Sequence, residues 1–194
     1  MPASRAEGSA LTSELVERAQ RGDREAFDDL ATAAYHRLYA IARRILRDGY
    51  AAEDAVQDAL VRAWRDLRGL RDRDRFDAWL HRLLVHACAD HVRRTRRRPL
   101  EVTIESIDRS DPQDDVARLV DRDEIERAFL KLSVEHRAVL VMTHYVGLAA
   151  PEIASMLGIP VGTVYSRIHH GTRQMRTSLV GSSAVPEPAP EQGR

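Results

Sequence analysis

The sequence predicts an all-α protein: two small helical bundles joined by a flexible acidic linker, the second bundle carrying a helix-turn-helix. Three observations lead there. Apolar residues recur at three- and four-residue spacing along nearly the whole chain, with no sustained alternation of the kind that marks strands. Between residues 99 and 120 that pattern lapses into a segment with six acids, two arginines and the prolines Pro99 and Pro112. Beyond it, Ala154, Gly158, Ile159 and Val164 fall at the offsets of two helices crossing at a tight turn.

A first helix is predicted from about Thr12 to Arg21, with Glu14 and Glu17 toward its positive end and Gly22 as its stop. Asp23 caps the second, whose apolar stripe reads Phe27, Leu30, Ala31, Ala34, Leu38, Ile41, Ala42 and Ile45 and which Gly49 breaks. The third, Ala52 to about Leu67, buries Val56, Leu60, Ala63, Trp64 and Leu67 and shows Glu53, Asp54, Gln57 and Asp58 on its other face. After a polar turn, Arg68–Arg75, a fourth helix starts at Phe76 or Asp77 and runs to about Arg94, with Trp79, Leu80, Leu83, Leu84, Ala87 and Cys88 turned inward. Helical spacing returns after the linker at Ile125, Ala128, Phe129 and Leu132. Ser133 caps the next helix, which carries Val134, Val139, Leu140, Met142 and Val146 and ends at Gly147. Two short helices follow around Gly158. The expected divisions are a disordered N-terminus 1–11, a helical domain 12–98, the acidic linker 99–120, a helix-turn-helix domain 121–178 and a disordered tail 179–194.

Composition narrows the function. The 194 residues hold 30 Lys+Arg against 30 Asp+Glu, yet the charge is segregated: residues 1–98 carry 20 basic and 16 acidic side chains, 99–120 carry two and six. Arg93, Arg94, Arg96, Arg97 and Arg98 form one basic cluster, and Val161–Arg176 holds three arginines, two histidines and no acid, so two separate places suit anionic partners. The single cysteine, Cys88, excludes an internal disulfide framework and fits a reducing compartment. No apolar run approaches the roughly 20 residues of a membrane span, and Met1–Ala10 lacks a signal pattern, so a cytoplasmic protein without direct membrane insertion is expected.

The strongest local signal is Ala150–Met175. Pro151 suits a helix's first turn, Gly158 supplies the turn, Pro160 starts the second helix, and Val164 and Ile168 anchor it from below. The opposite face presents Thr163, Ser166, Arg167, His170 and Arg173, where Arg167 can pair with guanine or grip a phosphate. The plainer reading is a structural hairpin with a solvated basic face. The arginine run at the end of the fourth helix supplies charge for phosphates, and Trp79 either packs in the core or faces nucleic acid. Glu53, Asp54, Gln57 and Asp58 form either a solvated face or a docking surface for a basic partner. His81, His86, Asp90, His91 and Cys88 do not make a metal site, because one helix would have to wrap the ligands around itself. Neither a phosphate-binding glycine loop nor a nucleophile elbow occurs, so no catalytic residue, metal or cofactor is expected.

Three blocks in order resemble the extracytoplasmic-function (ECF) sigma factors, bacterial transcription initiation factors that keep only sigma regions two and four. They are Ala52-Glu53-Asp54-Ala55-Val56-Gln57-Asp58-Ala59 through Trp64, Phe76-Asp77-Ala78-Trp79-Leu80 through Arg94, and Glu152-Ile153-Ala154 through Arg167; the resemblance covers about residues 12–178. It implies that Glu53, Asp54, Gln57 and Asp58 face the clamp helices of the polymerase largest subunit, with a further contact to the flap. It implies minus-ten contacts from Arg71, Arg73 and Arg75 in the loop before the fourth helix and from Trp79, His86, Asp90, Arg93, Arg94 and Arg97. Minus-thirty-five contacts would come from Thr163, Tyr165, Ser166, Arg167, His170 and Arg173. The implied partners are core RNA polymerase, promoter DNA and a possible anti-sigma factor, and the implied output is a stress or envelope-response regulon. The chain departs from the family's pattern at Val85-His86, where Arg-Asn is usual, and at Pro160, Tyr165 and Gly171. A stand-alone helix-turn-helix regulator would explain residues 121–178 but leave the first 98 without a task; a helical enzyme using the histidines explains less still.

Overall fold

The computed structural model describes residues 3–97 and 124–182, and among them every regular element is helical. The first bundle contains α1 (Ala3–Gln20), α2 (Arg24–Leu46), α3 (Gly49–Asp66) and α4 (Phe76–Arg97), with 3-10 turns at Leu67–Gly69 and Arg73–Arg75. The second contains α5 (124–130), α6 (Val134–Val141), a π-helical turn at Met142–Val146, α7 (Ala150–Leu157) and α8 (Val161–Ser182). The expected linker, 99–120, lies outside the described residues.

The helix boundaries follow from local chemistry. Gly22 sits at φ +101° and reverses the chain after α1. The Asp23 carboxylate then accepts from the Ala26 N–H at 3.1 Å, satisfying an otherwise orphaned donor of α2. The predicted α2 stripe is the core of the first bundle: Leu38, Ile41, Ala42 and Ile45 are fully buried, each of the larger three contributing about 2 kcal/mol. From α3 come Val56, Ala59 and Ala63, and from α4 Leu80, Leu84, Ala87 and Cys88. In the second bundle Ser133 accepts from the His136 N–H, Gly147 closes the π turn at φ +80°, and Gly158 turns α7 into α8 at φ +67°. There the N–H groups of Gly158 and Ile159 both reach the Ala154 carbonyl, a paired C-terminal cap that only a left-handed residue completes.

Several expectations need correction. The N-terminus expected to be disordered over 1–11 is helical from Ala3; Ala3, Ala6, Glu7 and Ala10 favour helix, and Gly8 alone costs about 1 kcal/mol. The break before α3 is not Gly49 but Arg47, held in the left-handed region at φ 62°, and Asp48, whose side chain caps α3 through the Ala51 N–H at 2.9 Å; Gly49 is the first helical residue. Trp64 is not buried: it is 40% exposed, tilted against Phe27 with ring centroids 5.0 Å apart, because among the described residues no helix covers that side of α3. Ile125 is likewise exposed. The second helix of the helix-turn-helix is long, running 22 residues to Ser182, so the first residues of the expected tail 179–194 are helical. No proline intervenes before Pro186, and the stretch to Val180 propagates the helix.

The two bundles do not stand apart. α6 packs on α2 and α4, α7 packs on α4, and their buried side chains join one continuous apolar cluster. Polar ties cross the same junction: Arg47 pairs with Glu126, Arg44 lies 3.6 Å above the Tyr145 ring, and Arg75 donates to the Ser155 hydroxyl at 2.9 Å.

Candidate nucleic-acid interface and docking face

α3 separates its two faces cleanly. Ala52, Ala55, Val56, Ala59 and Ala63 are buried, which leaves Glu53, Asp54 and Gln57 exposed and Asp58 half-buried on the outer side. Small residues on the inner side let α3 approach α2 and α4 closely and present the carboxylates on a rigid support. Asp58 is not idle: it accepts from Arg94 Nη2 at 2.8 Å.

The loop and α4 residues fall into two groups. Arg71 is exposed. Arg73, by contrast, is a strut: it donates to Glu17 at 2.8 Å and to Gln20 at 3.0 Å, and Gln20 donates in turn to the Leu67 and Leu70 carbonyls, which fastens the loop to α1. Arg75 is exposed but reaches Ser155 in α7. Trp79 is partly buried against the core with Phe76 at 6.0 Å between centroids, which favours the packing side of its two readings. Along the second half of α4, His86 is half-buried, and burial followed by repulsion from Arg82 lowers its pKa. Asp90 accepts from Arg93 at 2.5 Å and pairs with Arg62 at 2.8 Å. Burial would raise that carboxyl, but these arginines outweigh burial and lower it. Arg93 and Arg94 are exposed, and Arg97 closes α4 with its side chain outside the described residues.

His81 and Cys88 point into the core and away from this surface. Burial pushes the Cys88 thiol up to about 12, against smaller opposing pulls from Arg137 and its own backbone N–H, so it is a packing residue in a thiol form. Burial, aided by Arg37, lowers His81.

The helix-turn-helix has the geometry its sequence promises. Ile153 and Val164 are fully buried and Ile168 packs behind them, fixing α8 against α7. Tyr165, Ser166, His170 and Arg173 are exposed, whereas Thr163 and Arg167 are half-buried. Pro160 takes the capping place: its carbonyl accepts from the Thr163 and Val164 N–H groups, leaving the earlier amides of α8 directed outward. Gly171 does not interrupt α8. It lies where a Cβ would stand 3.1 Å from Leu140 Cδ1, so its absence of side chain lets α6 approach.

Sequence reasoning missed the residues at the bundle junction. Glu135, in the first turn of α6, shares a cavity wall with His86, Arg93 and Arg167. Arg82 reaches the helix-turn-helix, its Nη2 3.6 Å from where a Cβ on Gly158 would lie. An acid two residues after the cap serine Ser133, in the first turn of α6, was the only local signal.

A helical unit with an exposed acidic face on α3 and an arginine-rich α4 end, followed by a helix-turn-helix in the same chain, is the arrangement of a bipartite DNA-binding protein of the transcription-initiation class. The comparisons agree. Residues 30–98 match Sigma-70 region 2, and residues 122–175 match Sigma-70, region 4. The RNA polymerase sigma-H factor of Pseudomonas aeruginosa is 33% identical over 178 residues, covering 86% of this chain and 92% of that one. The ECF RNA polymerase sigma factor SigM of Mycobacterium tuberculosis is 35% identical over 162 residues, with 80% and 78% covered. Among solved structures, CnrH in complex with the cytosolic domain of CnrY superposes with a TM-score of 0.63 at 27% identity over 89% of this chain and 99% of that one. The sigma factor RpoE in complex with the anti-sigma factor NepR from Bartonella quintana shares the fold at a TM-score of 0.61 and 21% identity, with 79% and 96% covered. The chain belongs to the Sigma-70 family, within its ECF sigma factors.

Proposed function

We propose that this chain binds core RNA polymerase, recognises minus-ten and minus-thirty-five promoter elements and initiates transcription. The observation that carries this reading is the union, in one chain, of an exposed carboxylate face on α3, an arginine-rich α4 end beside it and a helix-turn-helix whose Arg167 face is basic. A stand-alone regulator would need only the last of these. Glu53, Asp54, Gln57 and Asp58 dock on the basic clamp helices of the largest subunit, and the second bundle takes the flap. Arg71, Arg75, His86, Arg93, Arg94 and Arg97 hold the opened minus-ten strand, with Trp79 and Asp90 shaping that surface and Arg73 positioning the loop. Thr163, Tyr165, Ser166, Arg167, His170 and Arg173 read the minus-thirty-five duplex. Unstacking a base costs a few kcal/mol, which arginine–phosphate contacts and polymerase binding must offset.

This is a promoter-recognition factor and not an enzyme, and it acts where polymerase is, in the cytoplasm; among the described residues no helix is long and apolar enough to cross a membrane. RpoE is solved in complex with the anti-sigma factor NepR and CnrH in complex with the cytosolic domain of CnrY, and an anti-sigma factor is a proposed partner here too. The test is run-off transcription on fragmented genomic DNA with core polymerase, with and without the protein. Discrete new start sites sharing two spaced upstream elements are expected. DNA binding without new transcripts would instead favour the regulator.

A further inference from the structure

A cavity of about 630 Å³ opens between the end of α2 in the first bundle and α5, the π turn and the second half of α8 in the second. That volume lies within the roughly 300–1,000 Å³ of small-molecule sites. Ile125, Phe129, Leu140, Val141, Met175 and Leu179 give it a mostly aliphatic wall. Ile125 is 48% exposed, so part of that wall is open to water. The charged lining is nearly of one sign: Arg44, Arg47 and Arg176 stand against a single acid, Glu126, which is already paired with Arg47. Arg44 lies over the Tyr145 ring and donates to the Ala40 carbonyl at 3.0 Å. Among the described residues neither Arg44 nor Arg176 forms an ion pair. An apolar wall beside two cations without acids suits a ligand with an apolar body and one anionic head. A nucleotide fits less well, because Arg44 already covers a face of Tyr145 and Phe129 is the other aromatic ring in the wall.

We propose that this cavity binds a free single-chain carboxylate, a fatty-acid anion, with its chain against Phe129, Leu140 and Met175 and its head held by Arg44 and Arg176. The unbranched Met175 lets the wall follow a flexible chain. The lining comes from both bundles, so the ligand touches both and adds to the stability of the whole compact chain. The site uses none of the residues named above for promoter or clamp contacts, and it stands without those roles.

The test uses the full chain and dodecanoate, kept below the concentration at which it forms micelles, in isothermal titration calorimetry at neutral pH. One saturable site per chain is expected, with affinity rising about fourfold for each methylene from octanoate to dodecanoate. Dodecyltrimethylammonium, the same chain length with the opposite charge, should bind at least roughly tenfold more weakly. Dodecanoate should also raise the unfolding temperature of the whole chain in one transition. Arg176→Glu reverses an exposed charge on α8 and should weaken dodecanoate roughly tenfold, with helical content unchanged by circular dichroism. Ile125→Glu sets an acid on the exposed part of the wall and should weaken it by a similar factor. The absence of a saturable site, equal binding of the two amphiphiles, or unchanged affinity in the folded variants overturns the proposal. Capture of the chain by phosphatidylglycerol vesicles without a dodecanoate site also overturns it, and makes these arginines a membrane-contact surface.

Discussion

Arg94 donates through Nη2 to the Asp58 carboxylate at 2.8 Å, so an arginine of the proposed minus-ten surface and an acid of the proposed docking face neutralise each other in the free chain. Asp58 and neighbouring Asp54 raise the pKa of Arg94, with the Asp58 hydrogen bond the largest cause. A basic partner helix that claims Asp58 leaves Arg94 without its acid and available to a phosphate. On the proposed roles, docking and DNA binding would be linked through this one exposed ion pair.

Reversing the docking face should separate polymerase binding from folding. Asp54→Arg with Asp58→Arg sets like charges against a basic partner, and affinity for core polymerase should fall on the order of a hundredfold. Both residues lie on the outer side of α3, so the helical content should be unchanged. Equilibrium binding of labelled protein to core, alongside circular dichroism, checks both. Wild-type affinity in a folded variant would place the docking face elsewhere.

Arg94→Ala removes a pair whose side chains are 59% and 39% exposed, which limits its share of stability to less than about 0.5 kcal/mol. Thermal unfolding should barely move. Promoter complexes should nonetheless weaken uniformly across sequences, with the logarithmic salt slope reduced by about 1. A salt titration of open-complex lifetime reads this directly, and an unchanged slope counts against a phosphate contact.

Arg167 lies at the edge of the exposed face of α8, half-buried, and is the residue there best able to form a bidentate base contact. Arg167→Ala should cost about 1–3 kcal/mol of minus-thirty-five discrimination. On a template whose minus-thirty-five element is already scrambled, the variant and the wild type should transcribe alike. Equal losses on both templates would make Arg167 a phosphate contact or a structural residue.

How much could be read from the chain depends on the range of the interaction. The α2 stripe, the Asp23 and Ser133 caps and the positive-φ glycines Gly22, Gly147 and Gly158 are local rules, and all were legible. Trp64 was misjudged because burial needs a neighbour, and nothing in the α3 sequence says that its outer edge is uncovered. Arg47–Glu126 and Arg75–Ser155 join positions about 80 residues apart, and two polar residues that meet at such separation leave no periodic trace. The face of α8 was legible as a helix wheel, whereas the meeting of Arg167 with His86 and Arg93 of the first bundle around one cavity was not.

His81 gives the fold a pH dependence of defined sign. It is buried, its Nε2 finds no hydrogen-bond partner among the described residues, and burial plus Arg37 lower its pKa below 6.5 while Asp77 partly opposes them. Folding therefore favours the neutral ring. Its contribution is fully present above 6.5 and is lost as pH falls from there through the lowered folded value. His86 and His136 are shifted the same way and add to the slope. Urea unfolding from about pH 7.5 to about pH 5 should show falling stability, with a shallower fall in His81→Leu. An identical slope in that variant would assign the dependence to the other histidines.

Gly171 poses the closest balance of forces in the molecule. Replacing a glycine inside a helix by alanine gains about 1 kcal/mol of backbone entropy and propensity. Here the added Cβ would stand 3.1 Å from Leu140 Cδ1, with His136 Cβ at 3.5 Å, so the Leu140 methyl must yield by a few tenths of an ångström. That methyl is the end of a flexible side chain, but Leu140 is only 6% exposed and has little room to turn. The two effects are of similar size, and Gly171→Ala should fall within about 0.5 kcal/mol of wild type. Gly171→Val adds two more carbons and the stiffness of a branched residue at the same crossing, so overpacking prevails and stability should drop by about 2 kcal/mol. Denaturant unfolding of both variants tests the pair. A valine variant as stable as wild type would mean that α6 and α8 are less closely apposed than the 3.1 Å approach requires.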